Sequence, residues 1–406
     1  MKILLGSQEV CGWLYELSIS FEKLGYESKT AITKIDHFFN YQYDVMLDDI
    51  FRQTHYSGAV KKNEHHKKLL RRFINYIGDR KYKKYIYKLI DEADVIFLLW
   101  SPFLKNSKEF SYIKKKKKKL IVFFAGSDVR HVRACDQQYV SKISTTYDDI
   151  DFAGMDYRLN YLRKVEKYAD IIYSVPDHAG LQLKPYKHLH APINTVDIKF
   201  INNKRRIPKI VHAPSIPSKK GTDIIEATLE RLKKEGVQFE FTSIRNLPNK
   251  DLLKLLTDAD ILIDQIIGHG PGVLAFEAML SGCAVATEFY NDKPASLQPP
   301  LWSIDKETIY DQLKELLTNT ELRIKLIEDS RSYALTNNSS DIVAEKILKD
   351  IQSPDDFDYY PQYLRKEYIP FNRKEIDLLN TWTKFVKNET WYKKYIPSGN
   401  RIGLEF

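Results

Sequence analysis

One glycine-rich segment in the second half of the chain combines residue types that could bind a phosphate and a diol. An apolar run that predicts a strand ends at Asp264, a loop rich in glycine follows, and a helical pattern starts near Gly272. The N–H groups of the first helical turn, at Gly272 and Val273, have no partner within a helix and attract an anion. Glu277 follows about one turn later, where a carboxylate can accept two hydrogen bonds from a diol such as ribose. The alternative is a glycine turn before a buried, capped helix.

The elements that must position these residues alternate between strand and helix. Short apolar runs predict strands at 1–5, 94–100, 120–124, 169–174, 209–213, 239–242, 261–264 and 284–287. Apolar residues at helical spacing separate these runs. Strands that alternate with helices of this length imply a parallel sheet covered on both faces. The predicted fold class is α/β, with two Rossmann-like doubly wound parallel-sheet domains facing a cleft.

Changes of composition predict where the domains begin and end. A polar, basic stretch around 199–208 separates two strand–helix series, so we predict an N-terminal Rossmann-like domain at 1–200 and a C-terminal one at 201–352. Residues 353–406 form a tail rich in Tyr, Trp and Lys, with a helix near 373–386 that packs back on the body. Two such domains place the carboxyl ends of both sheets across one cleft, where ligands of open α/β sheets bind.

Composition excludes several classes of protein. The 406 residues are 43% hydrophobic and 29% charged, which excludes disorder, collagen and a disulfide-rich scaffold as the main state. The three cysteines, Cys11, Cys135 and Cys283, form no CxxC pair, which argues against a thiolate zinc site and favours a reducing compartment. No run of about 18 apolar residues is present, so we predict a cytoplasmic protein.

The basic excess of the chain is concentrated in one stretch. Residues 61–90 contain eleven Lys or Arg against two acidic residues, and the whole chain has a net charge of +9. No helix-turn-helix, zinc finger or RNP-like strand is present, so we predict no nucleic-acid partner. The stretch also carries an apolar stripe, made of Leu69, Leu70, Phe73, Ile74, Ile77 and Ile86. It predicts peripheral binding to an anionic membrane surface, at its inner face. In the alternative, the stripe packs on the first sheet and the lysines are solvated.

The glycine-rich segment resembles a known family of enzymes. Gly272, the Glu277-Ala278-Met279 triplet, Gly282 and the strand 284–286 resemble the signature of the retaining family-4-type (glycosyltransferase group 1) enzymes, which have the glycosyltransferase-B fold. That signature is E-x7-E. His269 stands eight residues before Glu277, where the family usually has the glutamate that contacts the donor sugar. The resemblance therefore implies a catalytic position for His269 and marks a departure from the family.

The resemblance extends upstream to the segment 212–222. It resembles the strand, loop and lysine–glycine motif that opens the donor domain in the same enzymes, and it implies that Lys220 binds the donor diphosphate. The arginine often found five residues earlier is Ser215 here. Lys219 and Arg245, the latter in the loop after the strand predicted at 239–242, are further candidates for neutralising phosphate.

Two glycine-containing turns of the first domain also match the family. The segment 124–131 resembles a phrase that follows an interior strand of the acceptor domain, which implies that Asp128 and Arg130 line the cleft. His131 would be a proton acceptor or an acceptor-sugar contact. In the alternative, the Asp–Arg pair ties down a loop and His131 is an ordinary surface or core residue. Gly12, in the turn after the first strand, permits close approach of a donor phosphate or an acceptor.

The function implied by the resemblance is glycosyl transfer. A retaining, hexosyltransferase-type enzyme would move a sugar from a nucleotide-sugar to a glycan or lipid-linked acceptor in surface polysaccharide synthesis. No cofactor or metal is expected, because the acidic pairs at 48–49, 148–149 and 355–356 lie away from the cleft motifs. Two alternatives stay open: a catalytically inactive partner subunit, which the His269 substitution favours, and a nucleotide-sugar epimerase on the same fold.

Overall fold

The protein is built around two parallel β-sheets. The computed structural model describes residues 1–35, 38–39, 41–55, 65–126, 129, 155–174, 182–267, 270–289, 297–359 and 390, with the backbone alone at 65–66 and 155–156. The first sheet has the order β3-β2-β1-β4-β5-β6-β7 and the second β12-β11-β10-β8-β9. Every pairing of neighbouring strands is parallel. The strands are β1 (Lys2–Ser7), β2 (Glu27–Ile32), β3 (Val45–Met46), β4 (Val95–Leu99), β5 (Lys119–Phe123), β6 (Ile171–Ser174), β7 (Lys187–His188), β8 (Lys209–His212), β9 (Glu240–Ser243), β10 (Ile261–Ile263), β11 (Ala284–Thr287) and β12 (Trp302–Ser303).

Helices connect the strands and cover the sheets. In the first part of the chain they are α1 (Trp13–Lys23), α2 (Leu47–Thr54), α3 (His65–Glu92), α4 (Lys108–Lys115) and α5 (Met155–Tyr168). In the second part they are α6 (Pro217–Lys220), α7 (Thr222–Lys234), α8 (Asn249–Thr257), α9 (Val273–Ser281), α10 (Ile309–Thr318), α11 (Thr320–Asn338) and α12 (Ser340–Gln352). Within the described ranges, no helix has both the length and the apolar composition needed to cross a membrane.

The core of the first sheet follows from the alternation of side chains along its strands. In β4, Ile96 and Leu98 belong to one buried cluster, whereas Val95, Phe97 and Leu99 belong to another on the opposite face. All five residues of β4 are buried because helices cover both faces of a doubly wound sheet. The predicted architecture of two doubly wound parallel sheets is confirmed.

Every strand predicted from the sequence is present, and the strands that were not predicted are polar or short. β2 has the sequence ESKTAI, of which only the last three residues are buried. β3, β7 and β12 have two residues each and lie at the sheet edges. Strands at or near an edge need fewer apolar residues, so their sequences carry little periodic signal.

Helix α12 packs on the first sheet although the predicted boundary at residue 352 groups it with the second domain. Its residues Val343, Ala344 and Ile347 are buried in the cluster that covers the first sheet. Asp350 accepts hydrogen bonds from the Tyr173 hydroxyl at 2.8 Å and the Lys187 ammonium at 3.3 Å. The apolar stripe of α12 predicts a buried face, but a stripe does not identify the sheet that buries it.

The start of the tail returns to the first domain. Tyr359 and Tyr186 exchange two backbone hydrogen bonds of 3.1 Å, which form an isolated antiparallel bridge. The helix predicted near 373–386 lies outside the described residues.

Candidate functional site

A cleft lies between the carboxyl ends of the two sheets. A cavity of about 470 Å³ is lined from the first domain by Trp13, Phe123, Ala125 and Gly126, and from the second by Lys220, Gln265 and the segment 270–273. Phe123 is the last residue of β5, and Gln265 follows β10 by two residues. We call this space the first cavity. Its position is the one at which open α/β sheets bind ligands.

The segment that carries Lys220 is held in place by a buried histidine. His212, at the end of β8, donates from Nδ1 to the Ile263 carbonyl at 2.8 Å, so its Nε2 accepts from the Thr222 hydroxyl at 2.9 Å. Burial lowers the pKa of His212, which favours this neutral form. Gly221 between them has a φ of 73°, and a Cβ there would lie 2.4 Å from Ile266. The turn therefore requires glycine and directs Lys220 into the first cavity.

Lys220 and the start of α9 share one carboxylate. The Lys220 Nζ lies 2.7 Å from Asp264 Oδ1, and the Gly272 N–H donates to Asp264 Oδ2 at 2.9 Å. Asp264 is buried directly after β10. Because Gly272 has no side chain, the lysine ammonium and the helix start stand close together, with 3.7 Å between Lys220 Nζ and the position of a Cβ on Gly272. The sequence motifs around 220 and 272 thus meet at one point of the cleft.

The N-terminus of α9 presents backbone N–H groups at the first cavity. Gly272 precedes the helix and Val273 is its first residue, and both line the cavity. Helix geometry leaves the N–H groups of Val273 and Leu274 without partners in the helix. No side-chain acceptor for either N–H is present in the part of the chain that the structure describes. The partial positive charge of these groups adds to that of Lys220.

Gln265 fixes the glycine-rich loop beside this helix start. Its side-chain Nε2 donates to the Gly270 carbonyl at 2.5 Å. Its own carbonyl accepts from the Glu288 N–H at 2.7 Å, which ties the loop to the end of β11. Gly270, with a φ of 71°, returns the chain toward Gly272.

Glu277 lies in a different cavity from Lys220. It lines a second cavity of about 900 Å³, together with Asn249, Lys250, Glu16 and Tyr41. Asn249 Nδ2 donates to Glu277 Oε1 at 2.8 Å. Burial raises the pKa of Glu277 to about 7, so the carboxyl group is ionised only in part at neutral pH. Among the described lining residues, Val273 is the one that contributes to both cavities.

The wall of the second cavity in the first domain is built around Gly12. Gly12 has a φ of 77°, and a Cβ there would lie 2.5 Å from the ring of Tyr41. The Tyr41 hydroxyl donates to Glu16 Oε1 at 2.9 Å. Gly12 therefore lets an aromatic ring approach α1, and its neighbour Cys11 lines the cavity.

The N-terminus of α1 already holds an anion of the chain itself. The Glu9 carboxylate accepts hydrogen bonds from the N–H groups of Val10, Leu14 and Tyr15, at 2.8 to 3.2 Å. Burial raises the pKa of Glu9 to about 7. The N-terminus of α9 therefore has more N–H groups to offer to a ligand than that of α1 has.

Of the other predicted phosphate-binding candidates that the structure describes, Lys219 lines the first cavity and Arg245 does not. Arg245 is exposed after β9 and lines neither cavity. Asp128, His131 and His269 lie outside the described residues, as does Arg130, and their roles stay predictions. The described neighbours Gly126 and Gly270 line the first cavity, on opposite sides of the cleft.

Sequence reasoning missed a group of residues at the far wall of the first cavity. They are His190, which follows β7, and Tyr333 and Asn338, near the end of α11. The rings of His190 and Tyr333 meet edge to face at 6.1 Å. Burial lowers the pKa of His190 to about 4, so its imidazole is neutral at pH 7. No motif joins these residues, since His190 stands more than 140 positions before Tyr333 and Asn338 along the chain.

The described part of the chain contains no clear set of metal ligands. Among the described residues, no three His, Cys, Asp or Glu side chains are grouped so that they could hold a metal ion. Cys11 and Cys283 are not joined to each other by a disulfide, and Cys283 is buried.

Comparison with known proteins identifies the fold. No protein-family model matches the sequence, and no curated protein sequence matches it. Among solved structures, a sucrose-phosphate synthase from Thermosynechococcus elongatus superposes with a TM-score of 0.56 at 12% identity, covering 87% of this chain and 98% of that one. Anabaena HepE in complex with UDP gives a TM-score of 0.52 at 12% identity, with 87% and 100% covered. A Listeria monocytogenes protein assigned as a UDP-N-acetylglucosamine 2-epimerase gives 0.51 at 15% identity, with 88% and 99% covered. The chain has the glycosyltransferase-B fold, as the sequence resemblance implied.

Proposed function

We propose that this protein is a glycosyltransferase that moves a sugar from a nucleotide-sugar to a glycan or glycolipid acceptor. The observation that carries the proposal is the meeting of Lys220 with the N-terminus of α9 in the cleft between two doubly wound sheets. Both features attract an anion, and together they suit the diphosphate of a nucleotide-sugar. HepE, which has the same fold, was crystallised with UDP and with UDP-glucose.

The two cavities suggest how the donor lies. Its diphosphate contacts Lys220 and the N–H groups of Val273 and Leu274. Its ribose passes Val273 to reach the Glu277 carboxylate in the second cavity, where two hydroxyls can donate to it. Its sugar then faces Gly126 of the first domain, which is the acceptor side in this proposal. Retention of configuration follows only from the sequence resemblance.

Asp264 has two opposite effects on binding of the donor. Its carboxylate holds Lys220 and the Gly272 N–H in position, at 2.7 and 2.9 Å. The same charge repels an incoming diphosphate. Binding of the donor therefore requires that Lys220 be shared between Asp264 and a phosphate oxygen, which a lysine with three donors permits.

The first test measures nucleotide binding by calorimetry with UDP and GDP. Lys220→Met removes the cation and should raise the Kd of the nucleotide more than about tenfold, because a hydrogen bond to a charged group contributes about 1.5–3 kcal/mol. Arg245→Met is the matched control and should leave the Kd unchanged, since Arg245 lines neither cavity. An unchanged Kd in folded Lys220→Met would contradict the assignment.

The second test separates transfer from its alternatives. The purified protein is incubated with labelled UDP-, GDP- and ADP-sugars, and with oligosaccharides or lipid extracts as acceptors. Label on an acceptor supports transfer. An isomerised donor supports an epimerase, an activity that is favoured by the Listeria structure of the same fold. Nucleotide binding with neither product would leave the inactive partner subunit as the function.

A further inference from the structure

Helix α3 has two halves that behave differently. Its 28 residues make it about 42 Å long, whereas β4, which follows it, spans about 17 Å. Ile86, Leu89 and Ile90 are buried in the core of the first domain. Gly78 is the first buried position among the described residues of the helix, and a Cβ there would lie 2.4 Å from the Thr54 carbonyl at the end of α2. The body of the domain therefore holds α3 from Gly78 onward.

The half that precedes Gly78 exposes large apolar side chains. The exposed fractions are 65% for Leu69, 52% for Leu70, 63% for Phe73, 60% for Tyr76 and 37% for Ile77. At about 100° per residue, these five side chains form one stripe, centred roughly 150° around the helix from the face that Ile86, Leu89 and Ile90 bury. The alternative in which the whole stripe packs on the first sheet is therefore wrong for this half of α3. Ile86 is buried as that alternative requires, whereas the stripe before Gly78 points away from the body.

The same outward side of the second half is basic. Arg80, Lys84 and Lys88 continue the line of the apolar stripe by helical position, with Lys81 and Lys83 at its edges. All five are exposed. Asp79 precedes these residues, lies about 120° around the helix from the centre of the stripe, and stands 3.1 Å from the His55 ring. We call the two halves together the outward face of α3: apolar over 69–77 and cationic over 80–88.

We propose that the outward face of α3 docks on an anionic phospholipid surface. The apolar half enters the boundary between headgroups and acyl chains, and the cationic half binds lipid phosphates, as in helices that lie in the membrane plane. Charge complementarity argues for this occupant. A second copy of the same cationic face would be repelled, and a nucleic acid would leave the apolar half uncovered.

The position of the outward face suits transfer to a glycolipid acceptor, and this part of the inference rests on the proposed function. A helix that connects two parallel strands runs antiparallel to them, so the N-terminal half of α3 projects at the carboxyl ends of the strands of the first sheet. The cleft opens at that end. A protein docked in this way holds its acceptor side toward the membrane, where a lipid-linked acceptor can reach it.

Vesicle flotation tests the docking without any need for catalysis. We expect the full chain to float with vesicles of phosphatidylcholine and phosphatidylglycerol in equal parts, not with phosphatidylcholine alone, and the floated fraction to fall with added salt. Leu69→Ser with Phe73→Ser should weaken binding roughly tenfold or more, because exposed apolar side chains drive the insertion. Arg80→Gln, Lys81→Gln and Lys84→Gln together should do the same through lost charge.

Matched controls distinguish docking by the outward face from a general effect of net charge. Lys233→Gln, Lys306→Gln and Lys325→Gln remove the same number of charges from the second domain and should leave flotation unchanged. Each variant is checked for wild-type nucleotide binding, so that failure of docking and failure of the proposed function are distinguished. Equal recovery with neutral vesicles, or no recovery with either kind, would overturn the proposal. So would a wild-type dimer that Phe73→Ser converts to a monomer.

Discussion

The carboxyl group of Glu277 is buried in the wall of the second cavity, with the Asn249 amide as its hydrogen-bond donor among the described residues. Burial raises its pKa to about 7 because the charged form is poorly solvated there. A ribose diol donates two hydrogen bonds, which favour the charged acceptor. Ionisation of this one residue should therefore govern how tightly the nucleoside part of the donor is held.

This ionisation predicts a pH dependence of binding. Between about pH 6 and 8 the charged fraction of Glu277 rises, so the Kd of a bound nucleotide-sugar should fall as pH rises. The diphosphate of a nucleotide-sugar is esterified at both ends, so it does not titrate in this range. Glu277→Gln should raise the Kd at pH 8 about tenfold and remove the pH dependence, as measured by calorimetry.

Glu16→Gln, in the same cavity, is the control for this experiment and should keep the wild-type dependence on pH. A folded Glu277→Gln variant with an unchanged Kd would show that the carboxyl group serves the packing of α9 rather than the ligand.

At the scale of elements, the start of α4 depends on another buried carboxyl. Glu109 Oε1 accepts from the N–H groups of Phe103 and Leu104 at 2.7 and 3.2 Å, and so closes the turn that leads into α4. Its Oε2 is buried and has no hydrogen-bond partner among the residues that the structure describes. Burial raises the pKa of Glu109 to about 7. The folded protein therefore favours the protonated form of this side chain.

The raised pKa of Glu109 predicts a loss of stability as pH rises toward 7. The folded state binds more protons than the unfolded state between about pH 4.5 and 7, so the free energy of unfolding decreases as pH rises through this range. Glu109→Gln imitates the protonated form, so its free energy of unfolding should fall less than that of the wild type over this range. The difference should be on the order of 1 kcal/mol for each unit by which the pKa of Glu109 is raised.

Urea denaturation between pH 5 and 8 measures the effect on stability. Glu307→Gln, on the surface, is the control and should keep the wild-type slope. Parallel stability curves for wild type and Glu109→Gln would contradict the buried, protonated carboxyl.

At the scale of the molecule, the cleft brings a lysine and a helix N-terminus to one point. Lys220 is the last residue of the short helix α6, which follows β8, and the N–H groups belong to the start of α9, which follows β10. Two neighbouring parallel strands therefore lead to one point. Asp48 and Asp49 lie at the start of α2, and Asp355 and Asp356 in the tail, and none of them lines either cavity.

We therefore predict that the nucleotide binds without a divalent cation. The Kd of UDP should be the same in EDTA as in excess Mn²⁺, because Lys220 and the start of α9 meet the diphosphate charge. Transfer activity should behave in the same way. Binding or activity that is lost in EDTA and restored by Mg²⁺ or Mn²⁺ would contradict this prediction.

The sequence by itself determined the alternation of elements and the local chemistry. Buried strands such as β4 and β10 are continuous apolar runs, and the glycine loop and Lys220 turn are short motifs, so each is encoded by residues close together along the chain. For the same reason the meeting of Lys220 with α9 was predictable. Both follow strands of one parallel sheet, whose carboxyl ends share an edge.

Only the tertiary structure decided which surfaces meet. It placed Val273 between two cavities with Glu277 in the second, brought His190 and Tyr333 to the cleft, and packed α12 on the first sheet. It also turned the first half of the α3 stripe outward. Periodicity shows which residues share a face of a helix, but the partner of that face is set by contacts between segments distant in sequence. Those contacts depend on the path of the whole chain, which no local pattern encodes.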